Sequence, residues 1–232
     1  MWGRSKLVKK SPTPPYHMLR PFTWSVMLSL VAEFWVSGAP LVVFRVAPLL
    51  CLVWVVLRRE IMRLETVLIL LALFFSMIGS CYLVWLEEHL LEGMIARSVA
   101  QVIYIVSFGF GRVSWTIGLA VYGFNLPCLY VILDFVHFLP PEKVAFTLNS
   151  FALMMTAWRA LDRHLLDKDI SWDRRVSGAI GAMFFCGCRL WTPLLRAMDL
   201  LPSIPVYVIK VLCFYLAQRY TVLSLCEGFW KL

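Results

Sequence analysis

The sequence predicts an all-α integral membrane protein, a bundle of eight transmembrane helices, and three observations carry that reading. Of 232 residues, 61% are hydrophobic and only 16% are charged, well beyond what a single soluble core of this length requires. Apolar runs recur at close to the ~20 residues that cross a hydrocarbon core of about 30 Å. The basic residues also sort by side. The N-terminal tail, 58–63, Arg112, 159–175 and Lys231 fall on one side, and Lys143 and Arg196 on the other. An excess of Lys and Arg marks the cytoplasmic face, so both termini are expected in the cytoplasm, in agreement with an even number of spans.

The organisation follows as a basic, proline-containing cytoplasmic tail (1–20), a membrane domain (21–226) and a short cytoplasmic tail (227–232). SPTPP makes the first tail a flexible tether. The first span, 21–37, has no small-residue cleavage site before it and reads as a retained anchor. It and the second, 40–57, are short, which leaves a re-entrant pair as an alternative. The brief connection RREIMR leads to the third span, 64–86, and WLEEHL turns it into the fourth, 90–111. The fifth and sixth occupy 115–135 and 142–161, and 159–175 reads as the one long polar loop. The seventh, 176–198, has small residues Ser177, Gly178, Gly181 and Ala182 at the spacing of close helix packing. The eighth is 204–226.

Composition excludes some functions. The net charge of +8 follows topology and is not gathered on one face, so no nucleic-acid partner is expected. The seven cysteines all fall in predicted spans and read as reduced thiols filling the interior. His17, His89, His137 and His164 sit at span ends or in loops without a partner at metal-site spacing. They read as interfacial, and neither metal nor cofactor is expected. No oligomeric state is assigned.

The charges that remain inside spans are more informative. Arg45, Arg97, Arg189, Lys210 and Arg219 are basic, with Glu33 opposing them. Arg189 lies nine residues before Met198, roughly 14 Å along a helix, where a guanidinium costs about 2.5 to 3.5 kcal/mol on insertion scales. Two readings stand. In one, Glu33 pairs with an arginine and the other cations reach carbonyls or interfacial water. In the other, Glu33, Arg45, Arg97, Arg189 and Lys210 surround a polar cavity whose positive surplus selects an anion, with a phospholipid phosphate the natural ligand in a bilayer. An internal echo adds to this. Phe75 stands five residues before Ser80 and Phe184 five before Arg189, and Ala100-Gln101 is echoed by Ala217-Gln218, as a parallel repeat of four spans each would give.

FSMIGSCYLVW, LEGMIARSVAQVIYIVSFGFG, TAWRAL, GAIGAMFFCGCRLW and FYLAQRYTVLSL, in this order and spacing over 45–225, resemble the YhhN family of lysoplasmalogenases. These are eight-span membrane enzymes that hydrolyse the vinyl ether bond of lysoplasmalogens to an aldehyde and a glycerophospho-alcohol. The resemblance implies an endoplasmic reticulum membrane protein that handles membrane lipids, with lysophospholipid as the ligand class. It also maps the family's catalytic positions onto Ser80, Gln101 and Arg189, where the family carries aspartate, histidine and the aspartate of a Ser-Asp pair. Arg45 ahead of Pro48, Tyr104, Tyr215, Ala217 and Gln218 match the family. With Arg97, Arg189 and Lys210, the residues Arg45, Tyr104, Tyr215 and Gln218 form the expected substrate-binding set.

Vinyl ether hydrolysis needs a proton delivered to carbon, a partner for the oxocarbenium and an activated water, tasks suited to carboxylates. Serine and glutamine do not protonate carbon at useful rates, and arginine places a cation where positive charge develops. The expectation is a degenerate, lysophospholipid-binding member. Its competitors are a hydrolase that recruits Glu33 or Asp134 as its acid, and a lipid or anion transporter.

Overall fold

The computed structural model describes residues 16–59, 64–109, 111, 113–135, 139–166, 172–186 and 203–225, and every described element is helical. In chain order these are α1 (Tyr16–Trp35), α2 (Ala39–Arg59), α3 (Leu64–Tyr82), α4 (Leu86–Phe108), α5 (Trp115–Phe135), α6 (Pro140–Leu166), α7 (Trp172–Cys186) and α8 (Ser203–Leu225). Among the described residues, five stretches are long and apolar enough to cross a membrane: Ala39–Arg58, Leu64–Tyr82, Glu88–Phe108, Trp115–Phe135 and Val208–Leu225. Their outward faces carry large apolar side chains such as Trp54, Phe74, Leu119, Phe124 and Tyr130. Lipid tolerates such a surface, because helices satisfy every backbone group internally.

The helices form a ring. Neighbours pack in the sequence α1, α2, α3, α4, α6, α7, α8, and α8 closes the circuit against α1, α2 and α3. α5 stands outside this ring, packed mainly on α6. Inside lie Leu49, Leu52, Ile69, Leu73, Tyr104, Met154, Phe185 and Ala217, all essentially inaccessible.

Three expectations change. α1 and α2 are helices of 20 and 21 residues, each about 30 Å long at 1.5 Å per residue, longer than the expected spans 21–37 and 40–57. α1 also begins within the segment expected as tail. The polar loop expected over 159–175 is in large part helix, since α6 runs to Leu166 and α7 starts at Trp172. The polar residues there are turned inward. Arg159 donates from Nε and Nη2 to the Gly109 carbonyl and from Nη1 to Asp162. Asp162 accepts from the Ser114 amide, and Trp158 Nε1 donates to the Ser114 carbonyl. Helical periodicity brings 159 and 162 to one face, and that face grips the α4–α5 connection. On another side of the same helix His164 is buried between Phe108, edge to face at 6.0 Å, and Gly178 of α7, instead of interfacial.

The small residues of α7 do what their spacing predicts. A Cβ on Gly178 would collide with the His164 ring, and Gly181 meets Thr221 of α8, so α7 wedges between α6 and α8. Cys51, Cys81, Cys128, Cys186 and Cys213 are unbridged thiols.

Candidate functional site

Polar side chains meet at two places inside the ring. The first joins α1, α2, α3 and α8. Glu33 receives both Arg45 Nε (2.5 Å) and Nη2 (2.9 Å), and Arg45 Nη1 donates to the Leu83 carbonyl at 2.7 Å. The Tyr215 hydroxyl donates to the Arg45 carbonyl at 2.8 Å and lies 3.2 Å from Ser29 Oγ. This fork-to-fork pair is the charge-neutral solution that an apolar medium favours.

The second lies between α3, α4, α6, α7 and α8. Ser76, Arg97, Gln101 and Asn149 line a small cavity together with Leu153, Phe185 and Phe214. Its free space is on the scale of one water molecule. Each wall has a local cause. A Cβ on Gly79 would come within 2.6 Å of Arg97 Cγ, so the glycine lets the arginine stem cross the face of α3. The guanidinium then lies over the Phe214 ring, 4.6 Å from its centroid, a contact that holds a cation in apolar surroundings. Thr156 Oγ1 donates to the Gln101 carbonyl at 3.3 Å and to Ala152 at 2.8 Å, tying α6 to α4. Beside the cavity, Tyr104 donates to Gln218 Oε1 at 2.5 Å and Gln218 Nε2 donates to Ser76 Oγ at 3.2 Å. That relay fixes the Ser76 side of the wall.

These placements sort the residues expected from sequence. Gln101 and Arg97 line the cavity, and Tyr104 and Gln218 form the relay behind it. Ser80 is buried, but its hydroxyl bonds back to the Ser76 carbonyl of its own helix. Arg45, Glu33 and Tyr215 belong to the first cluster, so the expected single cavity resolves into an ion pair and a separate chamber. Lys210 is half-buried on α8. Asp134 is exposed on α5, outside the ring. Arg189 and Cys188 lie outside the described residues. No group of metal-ligating side chains occurs among the described residues.

Asn149, Ser76, Phe185 and Phe214 were not anticipated. Asn149 had a signal: a polar amide within an apolar span is costly in lipid and is by default a candidate site residue.

Compared with known protein families, residues 41–225 match the YhhN family. The chain belongs to the YhhN family. None of the curated proteins and none of the solved structures matches it. The match runs from the start of α2 to the end of α8 and therefore contains every lining residue of the chamber. Within this YhhN-family chain Tyr104 and Gln218 are linked to Ser76, and Gln101 lines the same cavity as Ser76, whereas the Ser80 hydroxyl bonds to its own helix.

Proposed function

We propose that this YhhN-family protein spans the membrane eight times, with both termini in the cytoplasm of an endoplasmic reticulum membrane, and binds a lysophospholipid in the chamber around Arg97 without cleaving it. The observation that carries the proposal is the character of the lining. Among the described residues it offers one cation, two amides, a hydroxyl and two aromatic rings, and no carboxylate. Arg97 suits a phosphate, Phe185 and Phe214 suit the adjoining apolar chain, and the family's reaction asks for a proton donor to carbon that this lining does not supply. Glu33, the competing acid, has both oxygens on Arg45 in the other cluster.

Space adds a condition. A phosphate headgroup is far larger than the chamber, so binding has to part α4 from α8, where Phe214 covers Arg97. That opening gives up the Arg97–Phe214 contact, of about 0.5 to 2 kcal/mol, and loads the Tyr104–Gln218 hydrogen bond that also joins α4 to α8, against a charge-assisted pair of ligand phosphate and guanidinium.

The test uses the full chain in detergent. A chain-matched lysophospholipid raises its thermal midpoint, and at about a hundredfold excess over Kd the stabilisation is roughly 2.7 kcal/mol. The same protein given a lysoplasmenyl lipid releases no aldehyde, whereas Ser80→Asp, Gln101→His and Arg189→Asp together introduce turnover. Aldehyde release by the unaltered chain, abolished by Glu33→Gln, would establish the hydrolase instead.

A further inference from the structure

The chamber holds two polar groups whose needs are complementary. Gln101 and Asn149 are 4% and 1% exposed. Among the described residues, Gln101 Oε1, an acceptor, and Asn149 Nδ2, a donor, have no hydrogen-bond partner, and both residues line the cavity. Asn149 Oδ1 accepts from the Ser98 hydroxyl at 3.4 Å, the longer branch of a donor shared with the Met94 carbonyl at 2.9 Å. The amide oxygen is thereby engaged and the NH2 is the end left toward the chamber. Gln101 is held at its backbone by Thr156.

In an apolar interior such groups are retained where a ligand completes them. A water-sized space with one unmet acceptor and one unmet donor matches a group that both donates and accepts. A hydroxyl does both; an ester oxygen or a methylene does not. Resting on the lysophospholipid reading above, we infer that Gln101 and Asn149 recognise the middle glycerol hydroxyl of the lipid, the group that a lysophospholipid has free and a diacyl phospholipid has esterified. Arg97, on the same wall, takes the neighbouring phosphate. The hydroxyl donates to Gln101 Oε1 and accepts from Asn149 Nδ2. An acyl ester at that carbon has no proton to donate and would leave the glutamine oxygen unmet, so the pair selects lysolipids over diacyl lipids by hydrogen bonding.

The experiment varies the ligand, so folding of a variant does not limit it. Affinities of the full chain in detergent are measured for three ether-linked lysophosphocholines of equal chain length, with the middle hydroxyl present, replaced by hydrogen, or methylated. The hydroxyl compound is expected to bind about tenfold or more tightly than either analogue, since each leaves at least one buried group unmet. In the double variant Gln101→Met with Asn149→Leu, which removes both the acceptor and the donor at similar volume, the hydroxyl and deoxy compounds are expected to bind alike. Equal affinity of the hydroxyl and deoxy compounds for the unaltered chain overturns the inference while leaving the headgroup site intact, as when a water serves the two amides. Binding of none of the three overturns the lysophospholipid reading and this inference with it.

Discussion

At the scale of single residues, the Glu33–Arg45 pair shows how this protein tolerates charge in an apolar setting. Two of the guanidinium's N–H groups meet the carboxylate and another meets Leu83, so neither partner is left with an uncompensated charge. Glu33→Leu leaves the arginine without its counter-ion and is expected to destabilise the protein by about 3 kcal/mol or more, while Glu33→Leu with Arg45→Leu is less damaging than the sum of the single changes. A double-mutant cycle on thermal or denaturant unfolding measures that difference, and additivity would count against a structural pair. Gly178 makes a steric counterpart. Because a Cβ there collides with His164, Gly178→Ala is expected to cost about 1 to 3 kcal/mol, and His164→Ala in the same chain should return part of it. An equal loss in both backgrounds would show that the collision is not the cause.

Between elements, α6 does most to organise the bundle. One end carries Asn149 toward the chamber, and the other carries the Arg159, Asp162 and Trp158 grip on the α4–α5 connection. Breaking that grip with Asp162→Ala is expected to speed proteolytic cleavage of the connection between Phe108 and Trp115 several-fold, with little change in lysolipid affinity, since the chamber is built from other residues. Cleavage at an unaltered rate would place the hold elsewhere. This helix was also the least legible from sequence. Hydropathy marked 142–161 and assigned the charged remainder to a loop, because a window average does not register that Arg159, Asp162 and His164 are all buried, on more than one side of the helix. The apolar patterns elsewhere were reliable for the converse reason: α3, α5 and α8 are uniform enough in composition that length alone delimits them. The α7 glycines were legible too, since only small residues permit that approach.

At the scale of the molecule, the closed ring of seven helices with α5 outside explains why family-matched positions far apart in sequence meet in one place. Gln101 on α4 and Gln218 on α8 come together because α8 returns to pack on α3, a contact between elements that are distant in the chain. The sequence alone placed Gln101, Tyr104, Gln218 and Arg97 among the site residues through family motifs and buried charge, and it left open whether Glu33 pairs with an arginine or shares one cavity with the cations, because residues at similar depth in different helices are indistinguishable until the packing order is known. Depth is a one-dimensional property, and the chamber depends on azimuth. The account as a whole turns on Arg97 being the anion anchor of that chamber. The most direct measurement compares lysophospholipid affinity of the unaltered full chain with that of Arg97→Met, which keeps the stem packed over Gly79 and removes the charge. The account predicts at least a roughly tenfold weaker Kd; unchanged affinity in a folded Arg97→Met protein would contradict it.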